Sequence, residues 1–231
     1  DYIQIWPGHG AGSACGKSLS AMPQSTLGYE CLFNWALGVK DEDDFVAMVL
    51  AGQPDPPTYF ATMKSINRLG PRLRGALQHP VRVGIDRLMD AIAAGAVVID
   101  TRGAAAFAAG HVPGSINIPL DRSFSTWAGW LVPYDREIYL VADERQDRGI
   151  GNAVRDLAMI GLDRVAGYTG ANEVERWAVG DQAESVRQIT AAQLAERLRA
   201  GDVAVIDVRA QTEYASGRLP GAVNIPLGQL G

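Results

Sequence analysis

Residues 98–120, VIDTRGAAAFAAGHVPGSINIPL, and residues 205–227, VIDVRAQTEYASGRLPGAVNIPL, align without a gap at a constant offset of 107, and about half of the positions are identical. Nothing else in the chain limits its possible folds as strongly. A solenoid repeats every 20–50 residues or so, so a spacing this long describes two copies of one domain. The first copy continues well past its NIPL, whereas the second meets the last residue, Gly231, almost at once. The expectation is a complete unit over 80–180 and the opening part of a second over 185–231. On this reading the chain is a piece of something longer.

The pattern within the copies sets the fold class. VVID (97–100), IYLVA (138–142) and RVAG (164–167) read as short buried strands, and 86–94, 104–109 and 151–160 read as helices. The second copy repeats the opening with a helix over 191–199, Gly201 and a strand over 203–207. Short apolar strands alternating with helices predict an α/β fold, a parallel sheet with helices on both faces. Residues 1–79 follow a different rhythm: a strand at 2–6, a glycine-rich loop at 7–16 and an apolar stretch at 29–37 expected as one buried helix. Asp41–Asp44 opens a helix whose acidic first turn complements the helix dipole, GQPDPP breaks it, and 59–69 is a further helix stopped by Gly70 and Pro71.

Composition excludes several function classes. A net charge of −5 is at odds with a basic nucleic-acid-binding face, and no run of about 18 apolar residues is present to span a bilayer. Cys15 and Cys31 do not make a disulfide framework. With no signal peptide at Asp1, a reducing cytoplasmic setting is expected.

The repeated block resembles the rhodanese (sulfurtransferase) family. The carrying residues are Asp100, Arg102, Gly110, His111, Pro113, Gly114, Asn117 and Pro119, then Asp207, Arg209, Gly217, Pro220, Gly221, Asn224 and Pro226. Most of these build the fold. His111 lies alone in a turn, with Arg218 as its counterpart, and is read as a hydrogen-bonded structural residue rather than a ligand. The resemblance implies a cysteine thiolate on the loop after the next strand, holding sulfane sulfur as a persulfide in a cradle of backbone N–H groups. In the first copy that position falls on Asp143, with Arg148 five residues on and Gly170 and Trp177 matching the later glycine–tryptophan signature. A carboxylate cannot carry persulfide sulfur, and Ala106 stands where the second copy has Glu213. The first copy therefore reads as a rhodanese fold without its nucleophile, and the equivalent position of the second falls near residue 250.

PGHGAGSACGKSLSAMPQSTLGYE (7–30), FNWAL (33–37) and PTYFATMKSINRLGP (57–71) resemble the closing part of a metallo-β-lactamase-fold hydrolase, in the branch fused to rhodanese units. That resemblance puts His9 at the metal site, as a ligand or as a neighbour of the ligands. One histidine cannot hold a metal, which needs about three protein ligands. The complete protein is expected to carry iron or zinc, and this chain alone to carry none. The order of parts resembles persulfide dioxygenase–rhodanese fusions. It implies oxidation of a low-molecular-weight persulfide at an iron site and sulfur transfer at a rhodanese cysteine. Two alternatives stay open: a non-enzymatic scaffold or binding module, and a zinc-dependent thioester hydrolase. Expected partners are a small thiol persulfide or other small sulfur compound and, for a homo-oligomer, a further copy of the chain, but neither nucleic acid nor membrane.

Cys15 lies among small residues six positions after His9, with Lys17 near enough to lower a thiol pKa. It reads either as a persulfide carrier or as a small packed residue in a tight loop. Cys31 reads as incidental. AGSACGKS (11–18) meets a relaxed phosphate-loop pattern, but it starts on Ala where the tight turn wants Gly. Pro23 also ends any following helix too soon for its dipole to face phosphates.

Overall fold

The computed structural model describes residues 2–8, 24–51, 59–71, 79–144, 149–179 and 182–230. The chain divides into two compact units, Asp1–Asp55 and Pro56–Gly231.

In the first unit, β1 (Gln4–Ile5) pairs antiparallel with β2 (Ser25–Thr26), and three helices follow: α1 (Leu27–Phe33), α2 (Trp35–Gly38) and α3 (Glu42–Leu50). Each helix starts on a side chain that accepts an otherwise unmatched backbone N–H. Thr26 accepts from Tyr29, Asn34 from Ala36 and Asp41 from Asp44. The single buried helix expected over 29–37 is instead two exposed helices. Asn34 causes the break, because its backbone is extended (φ −78°, ψ 115°) while its side chain caps α2. Leu32 and Phe33 are 79% and 69% exposed, so apolar composition there does not mean burial. The strand expected over 2–6 shortens to two residues.

The second unit opens with α4 (Tyr59–Leu69), which falls where the sequence places it. Then follow β3 (Val81–Arg82), α5 (Ile85–Ala93), β4 (Val97–Asp100), α6 (Ala104–Ala109), β5 (Ile116–Asn117) and α7 (Phe124–Leu131). The first copy ends with β6 (Ile138–Ala142), α8 (Ile150–Met159), β7 (Val165–Gly170) and α9 (Ala171–Trp177). Its five strands form one parallel sheet in the order β3-β7-β6-β4-β5. Successive side chains on a strand point to opposite faces, and so each face has its own core. Ile99, Ile138 and Leu140 meet Phe124, Ala128, Val154 and Leu157 of α7 and α8. Val98, Tyr139 and Val141 meet Ile85, Leu88 and Val174 of α5 and α9. This is the α/β class the strand–helix alternation predicts.

Helix α7 has no counterpart among the elements expected from sequence. FSTWAGWL is apolar nearly all round, which blurs a helical period. Asp121 accepts the N–H and hydroxyl of Ser123, which hold its carboxyl below the usual range, and the chain turns into α7 there. Gly129 lets α4 come close, since a methyl at Gly129 would lie 2.5 Å from a ring carbon of Tyr59.

The second copy supplies α10 (Ala191–Ala200), β8 (Ile206–Asp207), α11 (Gln211–Ser216), β9 (Val223–Asn224) and a 3₁₀ turn over Leu227–Gln229. Helix α10 begins with a capping box between Thr190 and Gln193 and ends at Gly201, whose φ of +72° is left-handed. The register Ile206↔Val223 and Asp207↔Asn224 reproduces Ile99↔Ile116 and Asp100↔Asn117. Strand β8 is nevertheless shorter than the expected 203–207. Strand β4 lies between β5 and β6, whereas β8 has β9 alone among the described residues. Consequently Ile206 is 53% exposed while its twin Ile99 is 0% exposed.

Candidate functional site

All strands of the sheet run the same way, so their C-terminal ends form one edge. In open α/β sheets that edge is where ligand sites arise. Asp100 ends β4 there and is fully buried. Its carboxylate accepts from Arg102 three ways: the backbone N–H at 3.0 Å, Nε at 3.0 Å and Nη2 at 2.6 Å. Arg102 Nη2 also donates to the Gly110 carbonyl at 2.8 Å, tying the end of α6 to the strand. Asn117 Nδ2 donates to the carbonyls of Asp100 and Arg102 at 2.9 and 2.8 Å. Buried charges persist only when paired and hydrogen-bonded, and here both are spent on holding the turn. This clasp is architecture, not reactive chemistry.

The second copy builds the same clasp. Arg209 meets Asp207 at 2.6 Å and the Gly217 carbonyl at 2.7 Å, and Asn224 donates to the carbonyls of Asp207 and Arg209. Its side chains are 45% and 12% exposed, against 6% and 0% for Arg102 and Asp100. The Arg209 guanidinium and backbone N–H hold the Asp207 carboxyl below the usual carboxylate range.

His111 is 5% exposed, stacks on Phe107 with ring centroids 3.8 Å apart, and pairs through Nδ1 with the Phe107 carbonyl at 2.9 Å. Its Nε2 lies 3.7 Å from Glu184, and the backbones of the two residues bridge. Arg218 at the equivalent position lies 4.9 Å over the ring of Tyr214, the counterpart of Phe107. A planar group on an aromatic ring is the shared requirement, and a cation meets it through the ring's negative face.

Asp143 directly follows β6 at the same edge and is half-buried. Glu144 beside it accepts from Arg82 Nε at 2.8 Å, and Arg82 Nη2 reaches Glu173 of α9 at 3.3 Å. This ion triad ties the loop after β6 to β3 and α9. It also brings a Glu144 oxygen so close that a methyl on Gly170 would lie 2.9 Å away. Sequence reasoning missed the triad because its members lie far apart in the chain and carry no linear signature. Of the three candidate site residues, His9 and Cys15 lie outside the described residues, as do Arg148 and the phosphate-loop-like segment. Cys31 is an exposed free thiol on α1. Among the described residues no group of three or more His, Cys, Asp or Glu is placed to hold a metal ion.

In the triad beside Asp143 two carboxylates meet one guanidinium, and that excess of negative charge opposes an anionic persulfide. Asp143→Cys is therefore expected to give a thiol with a pKa at or above the reference of about 8.5. Alkylation rates across pH measure it, and a pKa well below that reference would show that the backbone N–H cradle outweighs Glu144.

A parallel α/β unit with a buried Asp–Arg clasp, followed by a partial repeat of the same clasp, defines the class. The rhodanese-like domain model matches residues 85–173 and 190–230, more than half of the chain, and the chain belongs to that family. It is also similar to a metallo-beta-lactamase from Staphylococcus aureus, 41% identical with a TM-score of 0.56, over 74% of this chain and 46% of that one. An overlap of that extent reaches into the rhodanese-like residues, because these make up over half of the chain. A thiosulfate sulfurtransferase from Pseudomonas aeruginosa matches at 19% identity and a TM-score of 0.37, over 66% of this chain and 35% of that one. The HTH-type transcriptional regulator Rv0324 of Mycobacterium tuberculosis is 50% identical over 42 residues, 18% of this chain and 19% of its own. The chain thus spans under half of the Staphylococcus protein and about a fifth of the mycobacterial one. Among the described residues no helix is long and apolar enough to cross a membrane.

Proposed function

We propose that the chain belongs to a sulfur-handling protein joining a metallo-β-lactamase-fold part (1–79), a rhodanese-like unit that does not transfer sulfur itself (80–180) and a second rhodanese-like unit beginning at 185–231. The observation that carries this reading is Asp143 at the end of β6, where the family's chemistry needs a thiolate. The likeness to the Staphylococcus protein supports the fusion, because it runs across both kinds of part. The substrate proposed is a low-molecular-weight thiol persulfide or another small sulfur compound, handled in the cytoplasm. The whole protein would oxidise it at an iron site; the alternative enzyme of the same fold is a zinc-dependent thioester hydrolase. The described residues offer no ligand set for either metal, so the roles assigned to this chain stop at its own side chains. Those roles are structural at the Asp100–Arg102 clasp and at the Arg82–Glu144–Glu173 triad, while Asp143 leaves its position without a sulfur nucleophile. Cys15 is the proposed sulfur carrier, with its thiolate attacking the outer sulfur of a persulfide and releasing the small thiol.

The chain treated with glutathione persulfide is expected to gain one sulfur atom at Cys15, read by peptide mass, and Cys15→Ala is expected to lose that gain. With thiosulfate and cyanide it should form no more thiocyanate than the Cys15→Ala, Cys31→Ala double variant. Thiocyanate above that control would mean that Cys15 or Cys31 passes sulfur on to cyanide, and thiocyanate formed by the double variant itself above the protein-free rate would refute the non-transferring first unit. Sulfur on Cys31 alone would refute the role of Cys15. A non-enzymatic binding module is the second reading. It is favoured by the same Asp143, and by a 42-residue likeness to a mycobacterial protein that is named as a transcriptional regulator.

A further inference from the structure

At the opposite, N-terminal edge of the sheet, β4 and β6 begin beside a cleft of about 270 Å³. Three arginines from separate segments line it: Arg87 from α5, Arg136 from the turn before β6 and Arg164 from the turn before β7. Each is pinned by an uncharged oxygen. Arg87 Nη2 donates to the Tyr139 hydroxyl at 3.3 Å, Arg136 Nη1 to the Gly95 carbonyl at 3.2 Å and Arg164 Nη1 to the Asp135 carbonyl at 2.7 Å. A guanidinium carries five N–H donors, so one bond orients each group and leaves most of its donors unspent. Gly95 allows this arrangement, because its φ is +88° and a Cβ there would lie 2.6 Å from Arg136 Nη1.

The charges do not cancel within the cleft. Asp135 and Glu137 also line it, which sets three cations against two carboxylates. The ion pair seen there, Arg136 with Asp135, is long at 3.9 Å, and both side chains are more than half exposed. The result is a locally positive hollow on a chain with a net charge of −5. The fold does not demand it. When the helix-ending glycines Gly95 and Gly201 are aligned, Arg87 becomes Gln193, although both copies build the same Asp–Arg clasp.

We infer that this cleft binds a small oxyanion, with Arg87, Arg136 and Arg164 donating to its oxygens. Planar guanidinium forks match carboxylate, phosphate and sulfur oxyanions alike. The volume lies just below the range of drug-sized ligand pockets, which points to a compact ligand. The cleft lies at the other end of the strands from Asp143, so occupancy leaves the loop after β6 free.

Calorimetric titration of the whole chain with sulfate, phosphate and succinate at constant ionic strength tests the inference and distinguishes the three chemistries. Saturable one-to-one binding of at least one anion is expected. In Arg87→Gln, Arg164→Gln the affinity should fall about tenfold or more, the equivalent of one charge-assisted contact. Arg155→Gln, on the surface beside Asp156, should bind like the parent. Each single cleft variant gives the same readout if the double variant does not fold. No saturable binding of any of the three anions, or an equal loss in Arg155→Gln, would overturn the inference.

Discussion

Arg102→Ala is expected to destabilise the second unit by about 3–5 kcal/mol, because it leaves the Asp100 carboxylate buried with its charge unmatched. The loss is compounded by the freed Gly110 carbonyl and by slack between α6 and β4. Arg209→Ala removes the same contacts from the second copy, yet its effect should be far smaller and should shrink further in salt. There the pair is open to water, which solvates whatever charge is left. Urea melts of both variants, followed by tryptophan fluorescence, measure the contrast. Similar midpoints would mean that burial does not set the value of this clasp.

Acid adds a second readout for the exposed pair. The folded-state pKa of Asp207 is depressed, so its contribution is present above the unfolded value of about 3.9 and is lost as pH falls through the folded value. Arg209→Ala should therefore differ from the parent at neutral pH and converge with it in strong acid.

The fold was legible where burial and period agreed. VVID and IYLVA lie at the centre of the sheet with both faces covered, and continuous apolar runs announce that environment. The helices α4, α5, α6 and α8 carried either a clear 3.6-residue stripe or a glycine stop. Where composition and burial part, the reading failed. The apolar stretch around Leu32 and Phe33 is exposed, and Asn34 splits it by preferring to cap. The clasp residues were legible as a motif, but their purpose is clear only in the geometry, where Arg102 spans from Asp100 to Gly110. The Arg82–Glu144–Glu173 triad and the three-arginine cleft were not legible. Each joins segments far apart in sequence, and spacing carries no signal for contacts that only the folded sheet creates.

The repeat also allows a core residue to be compared with itself. Ile99 and Ile206 share sequence context, strand register and a parallel partner strand. They differ in what lies on their other side. Ile99 has β6 alongside and the α7–α8 layer above, and none of its surface is exposed. Ile99→Ala should therefore cost about 2–5 kcal/mol, the sum of lost transfer energy and an unfilled cavity in a tightly packed layer. Ile206 is 53% exposed, and Ile206→Ala should fall within about 0.5 kcal/mol of the parent, as surface substitutions usually do. Urea midpoints of the two variants decide the matter, and hydrogen exchange at β4 and β8 locates the effect. If Ile206→Ala proves as costly as Ile99→Ala, then the apolar face of the second copy is covered in solution. In that case β8 has a further neighbour.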